Sequence, residues 1–323
     1  DTIDLAAWGA VLGQARGSGM TLHRAELRAG RVMYMGQAVR DVHAVMIPNA
    51  DGWNTKLDGA GAEGDLVWRD AGSGAMSAQL KRLAVDFQSA AIPNTGSSTP
   101  EKPENIFDPN KFPLLDIACD QLSISGFDVG KLSFATQRAA GGQRIDRLNL
   151  SGGKTTLNAE GWWKREKGLS SAALKFDLES EDSAGTLKAL GYAPNLDAKK
   201  SKFNSDLIWT MEPTGIAWAQ ARGKVAIDVQ SGSIRTIEPG AGRVLGLLNF
   251  YALPKRFTLD FHDVVSSGLG FDTIKGNYDL ADGNAITSDL DIKGSSLAME
   301  VRGRIGLAAK DFDQKITVHP SVS

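Results

Sequence analysis

A mainly β fold, built on a long antiparallel sheet, follows from three features of the sequence. Apolar residues recur at every second position in short runs at intervals of about ten residues, the period of a strand with one buried face. Glycine, asparagine and aspartate fall between the runs, and glycine reaches 36 of 323 residues. Only one long stretch, Glu238 to Leu253, carries a helical period instead. There Val244, Leu247, Leu248 and Tyr251 stand at i, i+3, i+4 and i+7, and Leu245 and Ala252 widen the stripe.

In chain order, Ile3 and Leu5 mark a strand end, and Ala6 to Ala15 reads as a short helix with Asp4 as its N-cap. Alternation then takes over around Met20 and Leu22. It continues through Val32 and Tyr34 and, less regularly, through Val39, Val42, Val45 and Ile47. Turns are expected at Gly52 and at Gly59 to Gly64, with strands over Asp65 to Arg69 and Met76 to Phe87. The segment Ser89 to Pro113 breaks the rhythm. It holds five of the eleven prolines and the run NTGSSTP, and it reads as a linker or long loop. The expected organisation is therefore an N-terminal β segment over 1–88, this Pro-rich stretch over 89–113, and a C-terminal β domain over 114–323 with a helix near 240–253.

Strands return with Leu115, Ile117 and Cys119 on one parity and Leu122 and Ile124 on the other, so a bulge or corner is expected at Asp120–Gln121. Leu132 and Phe134, then Ile145, Leu148 and Leu150, then Leu157, Ala159 and Trp163 extend the pattern. Leu174, Phe176 and Leu178 precede a short helix over Ala184 to Leu190, which Gly191 and Pro194 stop. Phe203, Ser205, Leu207 and Trp209, and then Val225, Ile227 and Val229, lead into the long helix, which Pro239 opens and Pro254 ends. Beyond it Phe257, Leu259 and Phe261 alternate with Thr258, Asp260 and His262. Leu290 and Ile292 repeat the period, and Leu297, Met299, Val301, Ile305 and Leu307 share one parity against Glu300, Arg302 and Arg304. Ile316 and Val318 close the series. Strands with one apolar and one charged face belong to an antiparallel sheet wetted on one side.

Composition narrows the function. A formal charge of -2 from 36 basic and 38 acidic residues offers no basic field for nucleic acid. One cysteine, Cys119, excludes an intramolecular disulfide, and no apolar run reaches the length of a membrane span. The chain opens on DTIDLAAW without an initiator methionine or a signal-peptide pattern, which leads us to expect a piece of a longer protein. His23, His43, His262 and His319 lack metal-ligand spacing and read as surface strand residues. PGAGRVLG has Leu245 where a dinucleotide loop needs its third glycine. Asp177, Glu179, Glu181 and Asp182 fit a solvated turn before a helix. No catalytic residue, metal or cofactor is expected. The helices are too few to cover the apolar faces of so many strands. The sheet must therefore curl on itself, pair as a sandwich, or hold something else against that face.

Several segments in order resemble the AsmA-like proteins of Gram-negative envelopes, most closely the YhdP type. They are DPNKFPLLDIACDQLSISGFDVGKL (Asp108 to Leu132), LKALGY (Leu187 to Tyr192), IEPGAGRVLGLLNFYALPKRFTLDFHDVVSSGLGFDTIKG (Ile237 to Gly276) and DFDQKITVHPS (Asp311 to Ser321). The resemblance covers about two-thirds of the chain. It departs from the family at Leu269, where an aromatic residue is usual, and keeps the second aromatic as Phe271.

The resemblance implies a long, strongly curved antiparallel sheet forming an open groove, with a few short helices. It implies a periplasmic body anchored to the inner membrane by an N-terminal helix outside this chain, and a role in moving phospholipids between inner and outer membranes. The expected lining of such a groove is Phe257, Leu259, Phe261, Leu297, Met299, Val301, Ile305 and Leu307. The helix carrying Val244, Leu245, Leu247, Leu248 and Tyr251 is expected to end the groove or touch a membrane, or else to pack as a scaffold. The rival expectation is a non-catalytic envelope assembly protein that works through protein partners bound along its strand edges.

Overall fold

The computed structural model describes residues 2–4, 23–34, 37–70, 72–87, 108–152, 154–189, 193–212, 215–216, 218–234, 269–295, 297–307, 309 and 311–320. The expected helix over Ala6 to Ala15, the helix near 240–253 and the strand of Phe257, Leu259 and Phe261 lie outside the described residues. The chain divides into two compact units, residues 1–153 with 163–166, and residues 154–162 with 167–323.

In the first unit the strands are β1 (Thr2–Asp4), β2 (Ala25–Tyr34), β3 (Gln37–Asn49), β4 (Gly52–Asp58), β5 (Ala62–Arg69), β6 (Ala75–Phe87), β7 (Leu114–Ile124), β8 (Phe127–Ala139) and β9 (Gly142–Gly152). Successive strands pair antiparallel except β1 with β2 and β6 with β7, which are parallel. A parallel neighbour needs a crossover of a dozen or more residues, which a hairpin turn cannot supply. The Pro-rich segment is that connection, and it brings Leu80 of β6 opposite Cys119 of β7. The pairing of β7 with β8 breaks between Cys119 and Leu122, at the expected Asp120–Gln121 bulge, and both bulge residues are exposed. Beyond the bulge Leu122 is buried like Cys119, so the extra residue restores the apolar parity to the same face.

The second unit contains β11 (Leu169–Ser180), α1 (Ser183–Ala189), β12 (Leu196–Glu212), the two-residue β13 (Gly215–Ile216), β14 (Arg222–Ile234), β15 (Leu269–Ala281), β16 (Asn284–Lys293), β17 (Leu297–Gly306) and β18 (Asp311–Pro320). Strand β10 (Thr155–Glu166) contributes residues 155–162 to this unit and 163–166 to the first. Every strand pair from β11 to β18 is antiparallel. Among the described residues, α1 is the one α-helix, and Trp218–Gln220 forms a single 3-10 turn. The fold is thus mainly β, as the alternation predicts.

Helix α1 is short but firmly seated. Asp182 caps it, its Oδ1 accepting from the backbone N–H of Gly185 at 2.9 Å. Ser183 Oγ accepts from the backbone N–H of Ala198 at 2.8 Å and donates to the carbonyl of Leu196 at 3.1 Å. Behind it the hydroxyls of Thr155, Ser180 and Thr186, all buried, hydrogen-bond one another at 2.8 to 3.3 Å.

Candidate functional site

The second unit has two chemically opposed faces. On one, cross-strand pairs of opposite charge or of amide and carboxylate repeat from strand to strand. Lys202 meets Glu179 at 2.6 Å, Asn204 donates to Asp177, and Lys275 lies 3.7 Å from Asp228. Arg302 meets Asp291 at 2.9 Å, and Arg304 meets Asp311 at 2.9 Å. Burial opposes ionisation of Asp289, yet the side-chain and backbone N–H groups of Asn277, at 2.6 and 2.8 Å, hold its carboxyl below the usual carboxylate range. Of the carboxylates clustered before α1, Asp177 and Glu179 are spent on these pairs and Asp182 on the helix cap.

The other face is apolar, and strand register arranges it in rows. One row runs Ser201, Val229, Ile274, Ile292, Met299, Val318 across β12 and β14 to β18. A second runs Phe176, Ser205, Val225, Tyr278 across β11, β12, β14 and β15. A third joins Leu178, Phe203, Ile227 and Gly276. Gly276 lies beside a bulge at Ser288–Asp289 that switches the buried parity of β16 from Thr287 to Leu290. A Cβ at Gly276 would stand 2.5 Å from the Leu290 Cα, so the close approach requires glycine here.

Burial along this face is uneven. Ile274, Tyr278, Leu290 and Ile292 are 0 to 1 % exposed, and they share one cluster with Leu297, Met299, Val301 and Ile305, themselves 3 to 8 % exposed. Leu174, Phe176, Leu178, Phe203, Leu207 and Trp209, on β11 and β12, are only half-buried. In the first unit the apolar rows Ile117, Phe134, Leu148 and Leu132, Leu150 are also half-buried.

The structure therefore brings Leu297, Met299, Val301 and Ile305 together on β17 and seals them with neighbouring side chains. Leu307, just past the strand, packs half-buried against the same cluster. Phe257, Leu259, Phe261, Val244, Leu245, Leu247, Leu248 and Tyr251 lie outside the described residues.

Sequence reasoning passed over the residue at the centre of this cluster. Burial pushes the Tyr278 phenol up to about 12, and the Gln314 carboxamide that faces it works in the other direction. Tyr278 is on β15 and Gln314 on β18, so two strands intervene, about 14 Å of flat sheet at the usual strand spacing. The sheet of this unit curls enough for the two side chains to face each other. Thr287 and Gly303, both small, stand in one row with Gln314.

His43 also has more company than an exposed strand residue. Its Nε2 lies 3.0 Å from Glu26 on β2 and its Nδ1 contacts Asp58 on β4, tying three strands. Cys119 is a free, buried thiol whose ionisation burial pushes up. Among the described residues no group of three or more histidine, cysteine, aspartate or glutamate side chains is placed to hold a metal. No helix of the described residues is long and apolar enough to cross a membrane.

No solved structure matches the chain. A curated protein of Escherichia coli (strain K12), described as an intermembrane phospholipid transporter, YhdP, is 23% identical over 303 residues. The match covers 92% of this chain and 24% of the relative, so the chain spans about a quarter of that protein's length. The family model described as YhdP protein matches residues 1–323, the whole chain. The chain belongs to the YhdP family.

Proposed function

We propose that this chain is part of a periplasmic bridge that moves phospholipids between the inner and outer membranes, with acyl tails lying along the apolar face. The observation that carries this reading is the half-buried apolar face of β11 and β12, which the seven-residue helix α1 is too short to cover, together with the half-buried apolar rows of β7 to β9 in the first unit. Each methylene removed from water contributes about 0.8 kcal/mol, so eight methylenes of one tail contribute about 6 kcal/mol before the cost of ordering the chain. A lining of repeated apolar rows without a deep pocket holds a tail while letting it slide. No residue is asked to make or break a bond, so the role is transport rather than catalysis. An inner-membrane helix outside this chain would anchor it.

Within this reading Leu297, Met299, Val301, Ile305 and Leu307 form the tightly packed end of the lining, and Leu174, Phe176, Leu178, Phe203 and Leu207 form the part open to tails. By the sequence pattern Phe257, Leu259 and Phe261 would continue the lining, and a helix of Val244, Leu245, Leu247, Leu248 and Tyr251 would end it, meet a membrane or pack as a scaffold.

The test is lipid extraction and native mass spectrometry of the chain purified from a membrane-containing host. Co-purified phospholipid is expected. A chain that emerges free of lipid and cannot take it up from vesicles refutes the reading. A stoichiometric protein partner in place of lipid would turn it toward envelope assembly.

A further inference from the structure

Two side-chain hydroxyls on the apolar side of the second unit are buried without a hydrogen-bond partner, Ser201 Oγ and Ser205 Oγ. Native structures rarely leave such groups unpaired, because each forfeits its hydrogen bonds to water on burial. Ser201 is fully buried and Ser205 is 6 % exposed. Both stand on the apolar face of β12, four residues apart, with half-buried Phe203 between them. Ser201 lies in register with Val229 and Ile274, and Ser205 with Val225 and Tyr278, so both hydroxyls are on the face that carries the apolar rows. Each hydroxyl can donate one hydrogen bond and accept others, and neither does so within the protein. The residues in register with Ser201 and Ser205 across β14 to β18 carry no charge. An anionic group would therefore be buried without a counter-ion, at a cost that excludes it.

We infer that Ser201 and Ser205 form a subsite for neutral hydrogen-bond acceptors, of which the acyl-ester carbonyls of a diacylglycerolipid are the chemical class that fits an apolar lining. The inference rests on the transport reading above. Phe203 is the cover: as the half-buried side chain between two sealed hydroxyls, it is the one an entering tail displaces. The subsite makes a diester lipid pause where a plain hydrocarbon chain would not.

The experiment presents the full chain with vesicles containing equal amounts of a diester phosphatidylethanolamine and its diether analogue of the same chain length. Bound lipid is then read by mass spectrometry. The native chain is expected to hold the diester in about two- to tenfold excess for each carbonyl bond made. S201A and S205A are each expected to lower that ratio toward one through loss of bound diester, with the diether bound as by the native chain. In lipid-free protein S201A and S205A should melt no lower than the native chain, because each removes an unpaired polar group. Equal diester and diether binding by the native chain overturns the subsite alone, as does a ratio that the variants leave unchanged. A marked loss of melting temperature in S201A and S205A also overturns it, since the hydroxyls then serve the fold. Failure to bind either lipid overturns the transport reading and the subsite with it.

Discussion

Replacing Val301 by aspartate, beside the same change at Phe176, separates the sealed part of the apolar face from the open part. Val301 is 3 % exposed and lies in register between Leu290 and Ile316. Losing its burial costs about 2 kcal/mol, and placing a carboxylate there without a cation costs several kcal/mol more. Arg302 cannot compensate, because its guanidinium is on the opposite face with Asp291 at 2.9 Å. The sum, about 4 to 6 kcal/mol, is a large part of a domain's stability and corresponds to a melting temperature lower by ~10 to 20 °C. Phe176 is half-buried, so F176D loses about 1 to 2 kcal/mol of packing and keeps the fold. Under the transport reading its carboxylate would stand where tails lie, and lipid uptake should fall by about tenfold or more. The assays are thermal unfolding by circular dichroism and bound phospholipid per chain. If V301D melts within ~2 °C of the native chain and loses its lipid, β17 is open lining rather than core, and the reasoning from burial fails.

Other expectations follow from single groups. The phenol of Tyr278, pushed up to about 12, should stay protonated in a spectrophotometric titration that ionises ordinary tyrosines near pH 10. Because the unfolded chain releases that proton first, stability is unaffected below pH 10 and falls between about pH 10 and 12, by roughly 3 kcal/mol in all, which Y278F should abolish. S183A strands the buried backbone N–H of Ala198 and should cost about 1 to 3 kcal/mol in denaturant unfolding. Cys119 should react with a thiol reagent far more slowly in the native chain than in denaturant, since burial both covers it and disfavours the thiolate.

The strands were legible because alternation is a local signal: the period in Leu174 to Leu178 or Leu297 to Val301 needs no knowledge of what lies opposite. The Asp120–Gln121 bulge was legible for the same reason, as a change of parity within one strand. Partner choice was not. Nothing within β6 or β7 says that they pair in parallel, because that depends on where the intervening chain returns. Similarly, His43 meets carboxylates 15 and 17 residues away, across two strands. The difference between lining and core was equally hidden. Phe176 and Met299 each sit at the centre of an alternating apolar triplet, and the two triplets look alike in any short window. One is half-buried and the other 3 % exposed, because β17 has β15, β16 and β18 curled against it. Ser201 and Ser205 read as small residues tolerated in a strand; only their missing partners single them out.

Under the transport reading, the two faces together determine where a lipid tail can travel. On the charged face, seating a tail would strip water from Lys275, Asp228, Arg302 and Asp291, whose exposed pairs contribute little to stability and depend on that water. On the apolar face the exchange runs the other way. A tail moving from the Leu178 side of a row to the Phe203 side crosses one strand spacing, about 4.8 Å, and trades one half-buried apolar contact for another. Each step then changes the free energy by a fraction of the total, so a tail is retained without being trapped. Where that face meets the sealed cluster around Ile274, Leu290 and Ile292, the contacts are already satisfied by protein, and a tail gains nothing by advancing. Under the transport reading, motion is therefore easy along β11 and β12 and stops at the packed strands β15 to β17, so within the described part of this unit a lipid leaves through the half-buried rows by which it entered.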